Sequence, residues 1–291
     1  MTEKSLINQV AQSEEYNFVA FGKDKAYREA NRQLLLEAFS YLPSPFFQVD
    51  VASGTGLVSQ EMSDLCREKG KRGTVIGIDP DYFAVESARK NTPSTPYCIV
   101  EFTEGKAQEM DQLLGGKIPP EGVDYVSIHD AFHEIEEKDK QSSLLSIWKI
   151  LKLGGVFTYN SAFTTAAMEL SAMQWGKWKA RAFSILGGKR NRENKGLIIH
   201  TPEEYRQMII DAGLSIIYEA KKPVQLFRNA LEGISRYPRF IYGVFADMEG
   251  EEKISLQRKS QALIQAMDDL GITELPRVWH ELMAQKPCQL E

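Results

Sequence analysis

Apolar residues recur three and four positions apart along Lys25–Phe39, at Ala30, Leu34, Leu35, Ala38 and Phe39. That spacing predicts an amphipathic helix within a stretch, residues 5–40, that reads as helical. Pro43 and Pro45 end it. The run Phe46–Val51 then passes into Ala52-Ser53-Gly54-Thr55-Gly56, and helical spacing resumes over Leu57–Lys69 through Val58, Met62 and Leu65. The pattern is strand, glycine turn, helix. Further strands are predicted at Gly73–Asp79, Cys98–Thr103 and Val123–Ile128, with helices over Tyr82–Lys90 and Lys138–Leu151. A turn at Leu153-Gly154-Gly155 leads into a fifth strand, Val156–Tyr159. Strands that are apolar on both faces and alternate with helices predict a parallel sheet covered on both sides, doubly wound over 46–160.

Beyond that point the rhythm changes. Residues 161–186 are rich in Ala, Met, Phe and Trp and helical in character, and 187–196 form a polar loop. Thr201-Pro202-Glu203-Glu204 has the form of a helix start, with Thr as cap, Pro in the first turn and an acid three residues on. Gly213 ends that helix, Leu214–Tyr218 reads as a sixth strand, 227–270 as helical, and Val278–Ala284 as a last strand.

Charge and cysteine content narrow the function classes. With 35 basic and 40 acidic residues the formal charge is −5, which argues against a nucleic-acid partner. Cys66, Cys98 and Cys288 are too few and too scattered for a disulfide framework or a zinc site. The polar start, MTEKSLINQVAQSEEY, lacks the apolar core of a signal peptide, and no run is long enough to span a membrane. The expectation is a reducing, cytoplasmic compartment, with the chain a monomer or homodimer.

The glycine turn brings backbone N–H groups close to a ligand at a helix N-terminus. Gly54 and Gly56 are followed by Leu57-Val58-Ser59, with neither the third glycine of a dinucleotide fingerprint nor the Lys of a phosphate loop, so pyrophosphate is disfavoured. The pattern Asp50-x-Ala52-x-Gly54-x-Gly56 resembles the first motif of the class I S-adenosylmethionine (SAM)-dependent methyltransferases, with Ala52 in place of the usual first glycine. The resemblance covers most of 46–218 and includes Asp79 at the end of the second strand, the turn Glu104-Gly105-Lys106-Ala107-Gln108, and Leu151-Lys152-Leu153-Gly154-Gly155 before the fifth strand. It implies a Rossmann-like, mostly parallel seven-stranded α/β sheet with helices on both faces. An N-terminal helical cap, 1–45, would precede a methyltransferase domain, 46–291, with helical lid segments at 161–186 and 219–277. The last of these is an insertion before an antiparallel seventh strand.

The same resemblance implies SAM as cofactor, held by Asp50, Ala52, Ser53, Gly54, Gly56, Asp79, Pro80, Ala107, Gln108 and His129. Asp79 would take the ribose diol and Asp50 the methionyl amino group. Lys106 stands where relatives carry an Asp, and Lys accepts no hydrogen bond. Tyr16 and Arg28 are candidates for the cofactor carboxylate. His129 and His133 have the i, i+4 spacing of a zinc motif, but they follow a buried strand and no third ligand completes the set, so no metal is expected. His133 and Glu134 are the candidate catalytic groups: His133 acts as a general base, or else shapes the loop through a backbone contact.

Aromatic residues cluster outside the sheet, and Phe18, Phe21, Phe132, Tyr159, Phe163 and Trp175 are candidates for an apolar acceptor pocket. The reading is methyl transfer to a small, largely hydrophobic or aromatic metabolite of the secondary-metabolism type, at an O, N or C atom left open. The rivals are a cyclisation or elimination on the same fold, a non-catalytic SAM-binding subunit, and an NAD-dependent oxidoreductase.

Overall fold

A computed structural model describes residues 18–191 and 198–288. Seven strands, β1 (Phe46–Val51), β2 (Gly73–Asp79), β3 (Cys98–Glu104), β4 (Val123–His129), β5 (Leu151–Ser161), β6 (Ser215–Phe227) and β7 (Glu274–Gln285), form one sheet in the order β3-β2-β1-β4-β5-β7-β6. The pairings β1–β2, β1–β4, β2–β3 and β4–β5 are parallel and β5–β7 is antiparallel. The expected doubly wound sheet with its reversed last strand is what the chain forms.

Helices cover both faces. On one, Leu35, Ala38 and Phe39 of α2 (Lys25–Phe39), Met62 and Leu65 of α3 (Leu57–Lys69), and Val85 and Ala88 of α4 (Tyr82–Asn91) pack on Val75, Val100, Tyr125 and Val156. On the other, Met110 of α5 (Met110–Leu113), Leu144 and Ile147 of α6 (Glu137–Ile150), and Tyr205 and Ile209 of α8 (Pro202–Asp211) pack on Val49, Val126, Ile128, Phe157 and Tyr159. The predicted cap of α8 is present: Thr201 Oγ1 accepts from the Glu204 N–H at 3.0 Å, and Glu204 Oε2 accepts from the Thr201 N–H at 2.8 Å. Thr201→Ala removes one half of that box and is expected to lower stability by about 1 kcal/mol, read as a fall in denaturation midpoint with unchanged m.

Two boundaries differ from expectation. Gly154 and Gly155 lie within β5 rather than in a turn before it: Gly154, at φ 75°, donates its N–H to Lys286 O at 2.9 Å, and Gly155 O accepts from Lys286 N–H at 3.0 Å. β6 runs on to Phe227, so the helical stretch before the last strand begins at Arg228 and not at 219.

The chain divides into two compact units, one of 29–166, 200–222 and 279–291 that carries the sheet, the other of 1–28, 167–199 and 223–278. Beside the end of β6 and the start of β7, the described part of the second carries the helices α1 (Val19–Gly22), α7 (Ala172–Ile185), α9 (Arg228–Ile234), α10 (Pro238–Phe245) and α11 (Leu256–Leu270). Its core is built on buried Trp178, whose Nε1–H donates to Leu263 O at 2.8 Å, and on Phe183 stacked against Phe245 at 5.4 Å.

Candidate functional site

Parallel pairing sets the ends of β1, β2 and β4 along one edge of the sheet: Val51 lies beside Ile78, and Asp50 beside Ser127. The chain leaves β1 through a left-handed turn, with φ 54° at Ala52, 53° at Gly54 and 85° at Gly56. Ser53 N–H donates to Ile78 O at 3.0 Å, and Gly56 N–H to Ser53 O at 2.9 Å, which closes the turn onto the first residue of α3. The two glycines are required for different reasons. A Cβ on Gly56 would stand 2.9 Å from the Phe102 ring and 3.0 Å from Thr92 Oγ1, whereas one on Gly54 would meet nothing within 4 Å. Gly54 therefore borders the open side of the loop, where a ligand can come close to the backbone.

Asp79 holds this loop. Its Oδ2 accepts from Gly54 N–H at 2.8 Å and its Oδ1 from Asp81 N–H at 2.9 Å, so the carboxylate is fixed at the strand end. Gly105 N–H donates to Asp79 O at 3.0 Å and draws the turn carrying Ala107 and Gln108 to the end of β2. Ala107 is buried there, Gln108 half-buried, and Pro80 and Lys106 exposed. Asp50 is buried and accepts from Ser59 Oγ at 2.8 Å and Ser127 Oγ at 2.9 Å. Burial raises its pKa to about 6 against the pull of those two hydroxyls.

His129 ends β4 and is buried, its Nε2 2.9 Å from Thr158 Oγ1, which is also 2.5 Å from the Tyr125 hydroxyl. Desolvation lowers its pKa to about 3, so the ring is neutral at physiological pH. The next residue, Asp130, has φ 51°; its N–H donates to Asn160 O and Oδ1 at 2.9 and 2.8 Å, its Oδ1 accepts from Ala162 N–H at 2.8 Å, and Asn160 Nδ2–H donates to Asn31 Oδ1. A non-glycine residue in that region is retained only where its surroundings hold it, as these bonds do. His133 stacks on Phe163, centroids 4.2 Å apart at 25°, and its Nε2 lies 3.9 Å from Glu134 Oε1. Ser59, Ser127, Thr158, Asn160 and Asp130 are not among the residues expected from sequence. Polar Ser127 and His129 at alternate positions of an apolar strand are the available signal.

The other expected site residues have these surroundings. Phe132 and Tyr159 do not line an acceptor wall: both are fully buried against each other and Tyr205 in the core under α8. Phe21 is closed in by Phe18 and Tyr27, and Phe18 also packs on Tyr237, all within the helical unit. Trp175 packs on Trp178 and Phe240 under the Arg277 guanidinium. Arg28 is half-buried on α2. Tyr16 lies outside the described residues. Among the described residues no His, Cys, Asp and Glu cluster has the arrangement of a metal site.

Comparison with known proteins agrees with this geometry. A family model described as "Methyltransferase domain" matches residues 48–213, more than half of the chain. A curated relative from Sulfolobus acidocaldarius, "Probable cobalt-precorrin-6B C(15)-methyltransferase (decarboxylating)", is 26% identical over 175 residues, covering 60% of this chain and 79% of that protein. A Bacillus halodurans C-125 structure assigned as a methyltransferase superposes with a TM-score of 0.55 at 15% identity, covering 89% of this chain and 99% of that one. The N-methyltransferase NodS from Bradyrhizobium japonicum WM9, solved with S-adenosylhomocysteine, gives 0.53 at 11% identity over 97% of each chain. At those identities the two structures establish the fold. A loop open at Gly54, a fixed carboxylate at Asp79 and a buried one at Asp50 fit an adenosyl amino-acid cofactor, and with the family match they make the chain a member of the methyltransferase domain family, an S-adenosylmethionine-dependent methyltransferase.

Proposed function

We propose that the enzyme transfers a methyl group from SAM to a small, largely hydrophobic or aromatic acceptor, with His133 and Glu134 on the acceptor side. The observation that carries this reading is the stacked pair His133–Phe163 at the ends of β4 and β5, a flat, half-buried apolar wall with a carboxylate beside it. No Asn/Asp-Pro-Pro-Tyr-like sequence follows β4, where His129-Asp130-Ala131-Phe132 stands, which speaks against amino methylation of nucleic acid. The curated relative is named for a carbon acceptor on a corrin precursor, so tetrapyrroles belong in the acceptor panel.

When bound, SAM supplies a methyl group already activated by its sulfonium sulfur. The chain's part is alignment and desolvation. Asp79 holds the ribose hydroxyls, Asp50 faces the methionyl ammonium, and the turn at Ala52, Ser53, Gly54 and Gly56 brings its backbone against the cofactor. Ala107 and Gln108 border the adenine. For a hydroxyl acceptor, His133 Nε2 takes the proton and Glu134 steadies the resulting imidazolium; Phe163 fixes the ring plane.

The test is incubation with SAM and a panel of aromatic, isoprenoid and tetrapyrrole acceptors, followed by mass spectrometry. A product heavier by one CH2 with release of S-adenosylhomocysteine supports the reading. A product of unchanged mass would place the enzyme with the cyclising rivals, and SAM binding without turnover on any acceptor would make the chain a SAM-binding subunit. On the acceptor found, His133→Ala is expected to lower turnover on the order of 10- to 100-fold while S-adenosylhomocysteine affinity stays the same. A fall in cofactor affinity instead would move His133 to the cofactor side.

A further inference from the structure

A chain of charged side chains joins the two segments that carry the His133–Phe163 stack. His133 lies in the short helical turn Phe132–Glu134 that follows β4. Glu134 N–H closes that turn by donating to Ala131 O at 2.8 Å, and the carbonyl of Ile135, the residue after it, accepts from Lys140 Nζ of α6. The Lys140 ammonium also stands 5.8 Å from the centre of the Phe132 ring. Phe163 is held on both sides in the sequence. Before it, Ala162 N–H donates to Asp130 Oδ1 at 2.8 Å; after it, Thr165 N–H donates to His200 O at 3.0 Å. Lys140 thus anchors one segment and His200 the other.

Glu137 links the two anchors. Its Oε2 lies 2.8 Å from His200 Nε2 and 3.7 Å from Lys140 Nζ. An ionised carboxylate only accepts, so Nε2 carries the hydrogen of the nearer bond. That bond, together with the Lys140 charge, holds the Glu137 carboxyl below its ordinary range. The other side of the imidazole is occupied as well: Nδ1 lies 3.3 Å from Glu204 Oε2, the oxygen that caps α8, and the ring packs on Tyr205 at 5.2 Å. Lys140 has no route to water, because its side chain is only 5% exposed. A buried ammonium that loses its counter-charge is strongly disfavoured, so removing the charge of Glu137 disturbs the Lys140 end as well as the His200 end. Resting on the reading of the stack as the acceptor wall, we infer that Glu137 and His200 are positioning residues: through Lys140 at one end and the His200 carbonyl at the other, they hold Phe163 flat against His133. They act on the acceptor through the spacing and tilt of those two rings.

Glu137→Gln keeps the shape of the side chain and removes its charge, at a position where the side chain is 47% exposed and the core is not opened. Hydrogen exchange read by mass spectrometry on peptides covering 131–137 and 161–166 of the cofactor-free protein is expected to speed up about 10-fold in both segments, with β1 and β4 exchanging as in wild type. Glu136→Gln removes the neighbouring charge, which pairs with Lys138 at 2.9 Å, and should leave both segments as they are. On the acceptor found in the panel, Glu137→Gln should raise the acceptor KM about 10-fold while the KM for SAM stays within about 2-fold of wild type. Unchanged exchange, a rise confined to 131–137, or an equal rise in the Glu136 variant would overturn the linkage. Faster exchange in both segments with an unchanged acceptor KM would leave the linkage standing and overturn the acceptor reading of the stack, so the two failures are distinct.

Discussion

Asp79→Ala is expected to weaken S-adenosylhomocysteine binding on the order of 1000-fold and to remove methyl transfer, the largest effect of any single change in the cofactor site. Two losses combine. In the placement proposed above, the carboxylate makes charge-assisted bonds to the ribose diol, each of about 1.5–3 kcal/mol, and every 1.4 kcal/mol is about tenfold in affinity. It also fastens the loop by accepting from Gly54 N–H at 2.8 Å and Asp81 N–H at 2.9 Å, so without it the turn loses the shape that admits the cofactor. Asp79→Asn separates the two contributions. An amide oxygen still accepts from one of those N–H groups, but its NH2 meets the other donor to donor, so the loop is held on one side only. The Asn variant should fall between wild type and Ala. Titration with S-adenosylhomocysteine checks the series, with circular dichroism confirming an intact sheet; Ala binding within tenfold of wild type would remove Asp79 from the site.

The place of Asp79 at the end of β2 is legible in the sequence because its signal is local: an apolar run, then an acid, a fixed distance past a glycine turn. The strand order follows from the same alternation of short apolar runs and helical spacing. What stays hidden depends on which way a side chain points. Central parallel strands are buried on both faces, so their pattern does not alternate, and nothing in the letters distinguishes Tyr159, turned into the core against Tyr205, from Thr158, turned toward His129. Phe132 lies past the end of β4, in a short helical turn that faces it into the same core. The length of β6 is hidden for another reason. Glu219-Ala220-Lys221-Lys222-Pro223 falls in the segment 219–277 expected to be helical, yet the strand continues through it at the edge of the sheet, where lysines and proline are tolerated and shield an unpaired backbone. The left-handed φ of Asp130 has no counterpart in composition at all; it is imposed by Asn160 and Ala162, thirty residues away in the chain.

Asp50→Asn is expected to stabilise the cofactor-free protein at neutral pH while weakening it as an enzyme. Burial holds the Asp50 pKa at about 6 in the folded chain, against an ordinary value of 3.8 in the unfolded one, despite the hydroxyls of Ser59 and Ser127. The folded state therefore binds the proton more tightly than the unfolded state. Below pH 3.8 the acid is neutral in both states and its burial carries no ionic penalty. As pH rises through about 6 the folded state must hold a desolvated anion. Stability falls by about 1.36 kcal/mol for each pH unit between the two pKa values, about 3 kcal/mol in all, after which it is level. An amide never meets that penalty: its oxygen keeps one serine as donor, and its NH2 donates to the other once that hydroxyl turns. The stability difference between Asn variant and wild type should thus be small at pH 4 and approach about 3 kcal/mol at pH 7.5, measured by urea denaturation without cofactor. A difference that stays constant with pH would mean that Asp50 is not held as a strained anion. The cofactor side moves the opposite way. In the proposed placement the methionyl ammonium is the charge that makes the buried carboxylate favourable, so S-adenosylhomocysteine affinity should drop about 10-fold or more in the variant. A chain that gains stability when this acid is neutralised, and loses its ligand by the same change, keeps the acid for binding.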